Sequence, residues 1–381
     1  MRTAYRFVAV LAAVMAVFLS SCADTGLTER ESPASAGGQA LFTVGILGQA
    51  SPPRSSYINI KLVVEAAGGR LITEDFDPTP DGSIKGVEKL IAAGCDGIIF
   101  IPQADSSLSF VTGMCEDAGV YWVISMRTIH DARIRQQVEA SPYYVGMVME
   151  DDESVGYNLV SVLAEQGAQK LAVLSIQADN TTGAARERGM SRAVAEYGID
   201  VVSVIRNLQG SDDIAAAVES LMKAHPDLDA IYSVSGASVI AMETIMDAGR
   251  SGQIRYATSD LGQSLGDFFD QGMLSAATGG HIPIDSCMAA VLLVNTLRGT
   301  PIGMDGPVTL VINPLMIRTG DELREYYSTL EDGLALFSAE AAKQKMMKWI
   351  NPGVSAESLQ GIIDSYSIES ILEWKADQVS G

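Results

Sequence analysis

Basic residues are scarce in this chain. Lysine and arginine together number 26 against 47 aspartates and glutamates, for a formal charge of −21 over 381 residues. Such a surface repels phosphate backbones, which excludes nucleic acid as a partner. Histidine is scarcer still, and His130, His225 and His281 fall on separate predicted elements. No serine stands in a Gly-x-Ser-x-Gly elbow, and neither a phosphate loop nor a dinucleotide glycine pattern is present. No catalytic constellation emerges, so no enzymatic activity and no cofactor is expected. Cysteines number four, with no metal-binding spacing. Buried thiols are the default for Cys95, Cys115 and Cys287, with a Cys95–Cys115 disulfide left open. After residue 19 no apolar run is long enough to span a bilayer, since residues 288–297 are short and interrupted by Asn295.

The start of the chain is distinctive. Arg2 and Arg6 precede the uninterrupted apolar run 7–19, and Leu19-Ser20-Ser21-Cys22 follows. A basic start, a short apolar run and a small-residue cleavage site make a secretory signal over residues 1–21. The closing cysteine makes the pattern resemble a bacterial lipobox, which implies that Cys22 is acylated and anchors the protein to a membrane of the cell envelope. Residues 22–40 are rich in Ser, Thr, Glu, Ala and Gly without an apolar period, the composition of a flexible tether.

From residue 41 onward, apolar β-branched runs alternate with segments of helical period. Strands are predicted at 42–47, 97–101, 121–126, 144–148, 171–176, 201–205, 230–234, 256–259 and 275–278. A further strand begins at Leu71-Ile72, and helices are predicted at 57–67, 83–93, 108–118, 154–166, 184–197, 214–224, 239–247 and 284–297. Strict alternation argues an α/β fold with parallel sheets and right-handed crossovers. The length argues two domains. Beyond Gly320, helical stretches at 339–349 and 356–363 are expected to pack outside the second lobe.

The chain is organised around Asp179-Asn180-Thr181-Thr182-Gly183-Ala184-Ala185-Arg186-Glu187-Arg188-Gly189. This stretch joins a predicted strand to a predicted helix, and in open α/β sheets such loops carry ligand sites. Arg186 falls in the first helical turn, where the helix dipole disfavours a cation. A bidentate contact to a polar ligand or a carboxylate would explain it. The acid run Glu150-Asp151-Asp152-Glu153 opens a helix, where acids are stabilising, and is expected to be solvated, with Asp152 as the N-cap.

The run Gly183-Ala184-Ala185-Arg186-Glu187-Arg188-Gly189 resembles the "S-A-A-R-E-R-G" segment of periplasmic sugar-binding proteins of the ribose-binding type. The resemblance spans roughly residues 42–312. It implies the type I periplasmic binding fold, two Rossmann-like lobes joined by a three-segment hinge. The N-terminal lobe would comprise 41–138 and 281–306, and the C-terminal lobe 139–280 and 307–381. Crossings are expected near 132–140, 279–282 and 300–306. The resemblance also implies a ligand contact at Arg186, with Asp260 at the end of a strand orienting it or sharing the ligand. Further contacts are expected at Gln49, Tyr57, Arg127, Gln209, Ser235 and His281, with no metal. Met126 stands where the family usually has an aspartate before the arginine, and Ser235-Gly236 replaces a usual asparagine-aspartate. The function implied is a lipid-anchored solute-binding protein that delivers a small polar ligand, a sugar, to the membrane permease of an ABC importer. A receptor subunit presenting its closed form to a sensor kinase or chemoreceptor is the alternative, and an enzyme on the same scaffold a weaker one.

Overall fold

A strand such as Gly97–Phe100 is buried at every position because helices cover both faces of its sheet. The computed structural model describes residues 40–48, 54–178, 180–330 and 333–379. The predicted signal segment, Cys22, Gln49 and Asp179 lie outside them. The strands β1 (Thr43–Gly48), β2 (Arg70–Asp75), β3 (Gly97–Phe100), β4 (Tyr121–Ile124) and β5 (Tyr144–Glu150) form the first sheet. Helices α1 (Arg54–Ala66), α2 (Pro80–Ala92), α3 (Leu108–Ala118) and α4 (Ala132–Glu139) alternate with them. The second sheet repeats the plan with β6 (Lys170–Leu174), β7 (Asp200–Ile205), β8 (Ala230–Ser233), β9 (Arg255–Ser259) and β10 (Leu274–Gly279). Its helices are α5 (Asp152–Glu165), α6 (Thr181–Tyr197), α7 (Ser211–Ala224), α8 (Ser238–Asp247) and α9 (Leu265–Asp270).

Both sheets share one order. In the first it runs β2-β1-β3-β4-β5, and in the second β7-β6-β8-β9-β10, with all these neighbours parallel. After β10 the chain returns to the first lobe as α10 (Ile282–Leu297), which is buried from Pro283 to Asn295 and packs on α1 and on β3 to β5. Strand β11 (Val308–Ile312) then adds parallel to β5, and β12 (Leu315–Ile317) adds antiparallel to β10. This is the two-lobed α/β plan expected from the alternation. Cys95, Cys115 and Cys287 are buried free thiols, and no Cys95–Cys115 disulfide forms.

Two expected crossings are corrected. Tyr144–Glu150 belongs to the first sheet, paired with β4, so the chain first leaves that lobe after Glu150 and not at 132–140. The polar stretch taken for a hinge is helix α4, capped by the Asp131 carboxylate, which accepts from the amides of Arg133 and Ile134. Its polarity reflects a solvated helix face. The third crossing lies between β11 and β12, not at 300–306, because Val308–Ile312 extends the first sheet. The second crossing lies between β10 and α10.

Helices α5 and α6 of the second lobe approach each other closely through two glycines. A Cβ on Gly156 would lie 1.8 Å from the Arg186 carbonyl oxygen, and one on Gly189 would lie 1.8 Å from that of Glu153. The last glycine of the organising stretch is there because another backbone occupies the place of its side chain.

The chain ends in α11 (Gly320–Leu330), α12 (Ala339–Met346), α13 (Ala356–Asp364) and α14 (Ile368–Val379). These helices do not sit outside the second lobe alone, as expected. Helix α12 packs on α1 and α13 on β11, both in the first lobe. The largest buried apolar cluster is accordingly continuous from Val44 in β1 through Phe337 to Ile317 in β12. Among the described residues, no helix is long and apolar enough to cross a membrane.

Candidate functional site

Among the described residues, the non-glycine residues with left-handed backbone are Met126 (φ 62°), Asn207 (φ 62°) and Asp260 (φ 86°). Each lies just past the carboxyl end of a strand, β4, β7 and β9 respectively. Such conformations are uncommon for L-residues and cluster where loops are held for function. In both sheets the chain order reverses beside the first strand, the position at which open α/β sheets bind ligands.

Arg186 is the centre of a buried charged network at this end of the molecule. It projects from the first turns of α6, whose N-cap Asn180 accepts from the Gly183 amide (2.8 Å). The residue is only 8% exposed. Its Nε donates to Asp152 Oδ1 (2.9 Å), its Nη1 to the Val234 carbonyl (2.9 Å) and its Nη2 to Glu150 Oε2 (3.4 Å). Glu150 ends β5 of the first sheet, and its other oxygen meets His281 Nε2 at 2.7 Å. The network therefore ties the first two crossings, at Glu150 and at His281, to the second lobe.

The expected orienting carboxylate is corrected. Glu150 and Asp152 hold Arg186, whereas Asp260 Oδ2 accepts from Ser235 Oγ (2.9 Å) and the Gly236 amide (3.1 Å). The acid run is likewise not a solvated patch. Glu150 is buried, Asp151 and not Asp152 is the N-cap of α5, Asp152 binds Arg186, and Glu153 binds Arg192 (2.9 Å). One turn into α10, Asp285 is fully buried. Its Oδ1 accepts from Ser125 Oγ (2.6 Å) and the Met126 amide (2.8 Å), while its Oδ2 and His281 Nδ1 are buried with no hydrogen-bond partner among the described residues.

The other predicted residues divide. Arg127 is exposed, donates to the Met126 carbonyl (2.8 Å), and its charge acts on Glu150 and Asp152. Gln209 and Ser235 line one cavity of about 450 Å³ at the carboxyl ends of β6, β7 and β8. Tyr57 packs against the main apolar cluster, which is the role of a helix-start core residue. The residues that sequence reasoning missed are Glu150, Asp152, Asp285 and Arg206. Arg206 pairs with Glu187 of the organising stretch, which also accepts from Ser175 Oγ. The acid run was visible, but only burial at a crossing separates its four roles.

Burial and charge pull these groups apart. Burial pushes Asp285 up to about 7, and it pushes Asp152 up to about 6 against the pull of Arg186. Burial would lower His281, but the hydrogen bond and charge of Glu150 and the charge of Asp285 outweigh it and raise the imidazole. Burial would raise Glu150, but His281, Arg186 and Arg127 together hold it low. Asp285 thus binds its proton more tightly in the folded chain, so its contribution is fully present below the unfolded value of about 4 and is lost as pH rises to about 7. Asp152 has the same sign over a narrower window, and His281 loses its contribution above its ordinary value of about 6.5. Glu150 acts oppositely, losing stability only as pH falls below about 4.3. The melting temperature is expected to fall from pH 5 to pH 8, and less steeply in Asp285→Asn. Melting curves across that range check this; equal slopes in both proteins would place the proton elsewhere.

Comparison with known proteins gives a consistent family. Residues 58–300 match the family model described as a periplasmic binding protein domain. The D-ribose/D-allose-binding protein of Pseudomonas aeruginosa is 26% identical over 200 residues, a match covering 51% of this chain. The chain spans about 60% of the length of that curated relative. A periplasmic sugar-binding protein from Pseudomonas fluorescens superposes with a TM-score of 0.66 at 16% identity, covering 84% of this chain and 99% of that one. An ABC transporter periplasmic solute-binding protein from Actinobacillus succinogenes 130z, crystallised with D-allose, gives 0.62 at 18% identity, covering 74% and 99%. At these identities the superpositions establish the fold.

Proposed function

Because the chain belongs to the periplasmic binding protein domain family, whose model matches residues 58–300, we propose that it is the solute-binding component of an ABC importer and that it takes a sugar between its two lobes. The body is held at the membrane by a lipid on Cys22 and hands its ligand to the permease. The observation that carries this reading is that strand-end polar groups of both sheets act on the buried Arg186 network, Arg127 through Glu150 and Asp152 and Asp260 through Arg186 itself. Arg127 comes from the first, and Gln209, Ser235 and Asp260 come from the second, beside the buried Arg186 hub. Hydroxyl-rich ligands suit such a set, since carboxylate and guanidinium groups form the stronger, charge-assisted hydrogen bonds. The P. aeruginosa relative is named for ribose and allose, which makes these the first ligands to try.

A thermal-shift screen of aldoses, ketoses and inositols against the Cys22→Ser protein tests the reading. A ligand at a hundred times its Kd adds about 2.7 kcal/mol of stability. The same ligand is expected to shrink the radius of gyration in small-angle scattering, and Asp260→Asn is expected to weaken it about tenfold or more. No shift with any sugar overturns the proposal. The anchor is tested separately, by detergent partitioning of the wild type against Cys22→Ser; equal partitioning sinks it.

A further inference from the structure

The C-terminal extension begins on the second lobe. Helix α11 packs on α9, where Arg324 bonds both oxygens of Asp270 (3.0 and 3.3 Å). The chain then passes to the first lobe. There the Leu336 amide donates to Oδ1 of buried Asn59 on α1 (2.8 Å), and Asn295 on α10 donates to the Met346 carbonyl (2.9 Å) and accepts from the Lys348 amide (2.7 Å). On α13 the Gln360 amide makes both main-chain hydrogen bonds of Val311, accepting from its nitrogen (3.0 Å) and donating to its oxygen (2.8 Å). It thereby covers the outer edge of the first sheet. Helix α14 returns to α11.

Tyr366 lies in the turn of that return. Its hydroxyl donates to the Gly280 carbonyl (2.6 Å), and its ring stacks on Trp374, which stacks in turn on Phe337. Gly280 has φ +77°, and a Cβ there would lie 2.7 Å from the ring of Tyr326 on α11. The extension thus grips the second crossing from two sides, one residue before His281. His281 in turn bonds Glu150 at the first crossing, and Glu150 bonds Arg186. The family model ends at residue 300, so the gripping residues come from outside the matched region.

We propose that the C-terminal extension is a clasp across the hinge, and that Tyr366 is a positioning residue that holds Gly280 and so seats His281 against Glu150. Its first helix is bonded to the second lobe, its middle to the first lobe and the turn before α14 to the crossing, so rotation of the lobes has to carry or break these contacts. The consequence for a ligand rests on the sugar-cleft reading, but the clasp itself is a property of the unliganded full chain.

The test uses Tyr366→Phe, which keeps the stacked ring and removes only the hydroxyl. Amide hydrogen exchange followed by mass spectrometry is expected to speed up roughly two- to tenfold over residues 279–285 and 148–154, the range for one lost hydrogen bond. Exchange in β3 and β8 is expected to stay at wild-type rates. His281 faces Glu150, Asp285 and Arg186. Its NMR titration midpoint is expected to move down as its contact with Glu150 loosens, with His130 and His225 unmoved. An unmoved His281 midpoint overturns the positioning role. Faster exchange throughout the molecule overturns the clasp in favour of general loosening. Neither readout requires a ligand, so a failed sugar screen and a failed clasp are separate results.

Discussion

Replacing Arg186 by alanine is expected to lower the unfolding free energy of the unliganded protein by about 3–5 kcal/mol, the range for breaking a buried ion pair from one side. The guanidinium binds Asp152, Glu150 and the Val234 carbonyl. Its removal leaves two carboxylates with little exposure and the Val234 carbonyl, just past β8, unmatched. Arg186→Lys is expected to recover only part of the loss, because a compact ammonium cannot present donors in three fixed directions. Adding Glu150→Gln and Asp152→Asn to the alanine variant is expected to restore stability relative to the single variant, since the unpaired charge goes with them. Urea denaturation of the set measures this. A ligand contact and nothing more predicts lost affinity with the apo protein intact, so a loss below about 1 kcal/mol would show that the hub is not what holds Arg186.

Gly189→Ala and Gly156→Ala are the next most damaging changes expected. A new Cβ at either place would sit 1.8 Å from a carbonyl oxygen of the facing helix. Backbone cannot turn aside as a side chain can, so α5 and α6 have to separate. Overpacking of this kind costs typically about 1–3 kcal/mol, and a main-chain obstacle puts these sites at the upper end. The better helix propensity of alanine returns only about 1 kcal/mol. A net loss of about 2 kcal/mol or more is expected in each, read by chemical denaturation. Because Arg186 lies on the helix that is displaced, Gly156→Ala is also expected to disturb its contacts with Glu150 and Asp152. An alanine variant as stable as the wild type would mean that the helices stand further apart than described.

Most of the alternation of apolar runs and helical segments was legible because it is local, although α4 read as a hinge and β11, β12 and α9 did not stand out. The buried strands show their own apolar residues, and most of the helices their own period. Arg186 stood out for the same reason, as a cation placed against a helix dipole. What the chain alone did not determine is partnership. Tyr144–Glu150 looks the same whichever sheet it joins; its place beside β4 rests on pairing across the lobe, with Trp122 and Tyr144 in ring contact at 4.8 Å. The four acids from Glu150 to Glu153 are identical in kind, and only the position of each on the crossing decides which is buried, which caps and which is solvated. The segments 132–139 and 300–306 are polar as hinges are, but polarity marks exposure to water and not rotation between bodies. Gly156 and Gly189 show no local need for glycine within their helices. Their reason is the backbone of another helix, and contacts between segments distant in sequence leave no period to read. The C-terminal helices were visible as helices, yet their bonds to both lobes came only from tertiary packing, which brings Asn59 and Leu336 within 2.8 Å across 277 residues of chain.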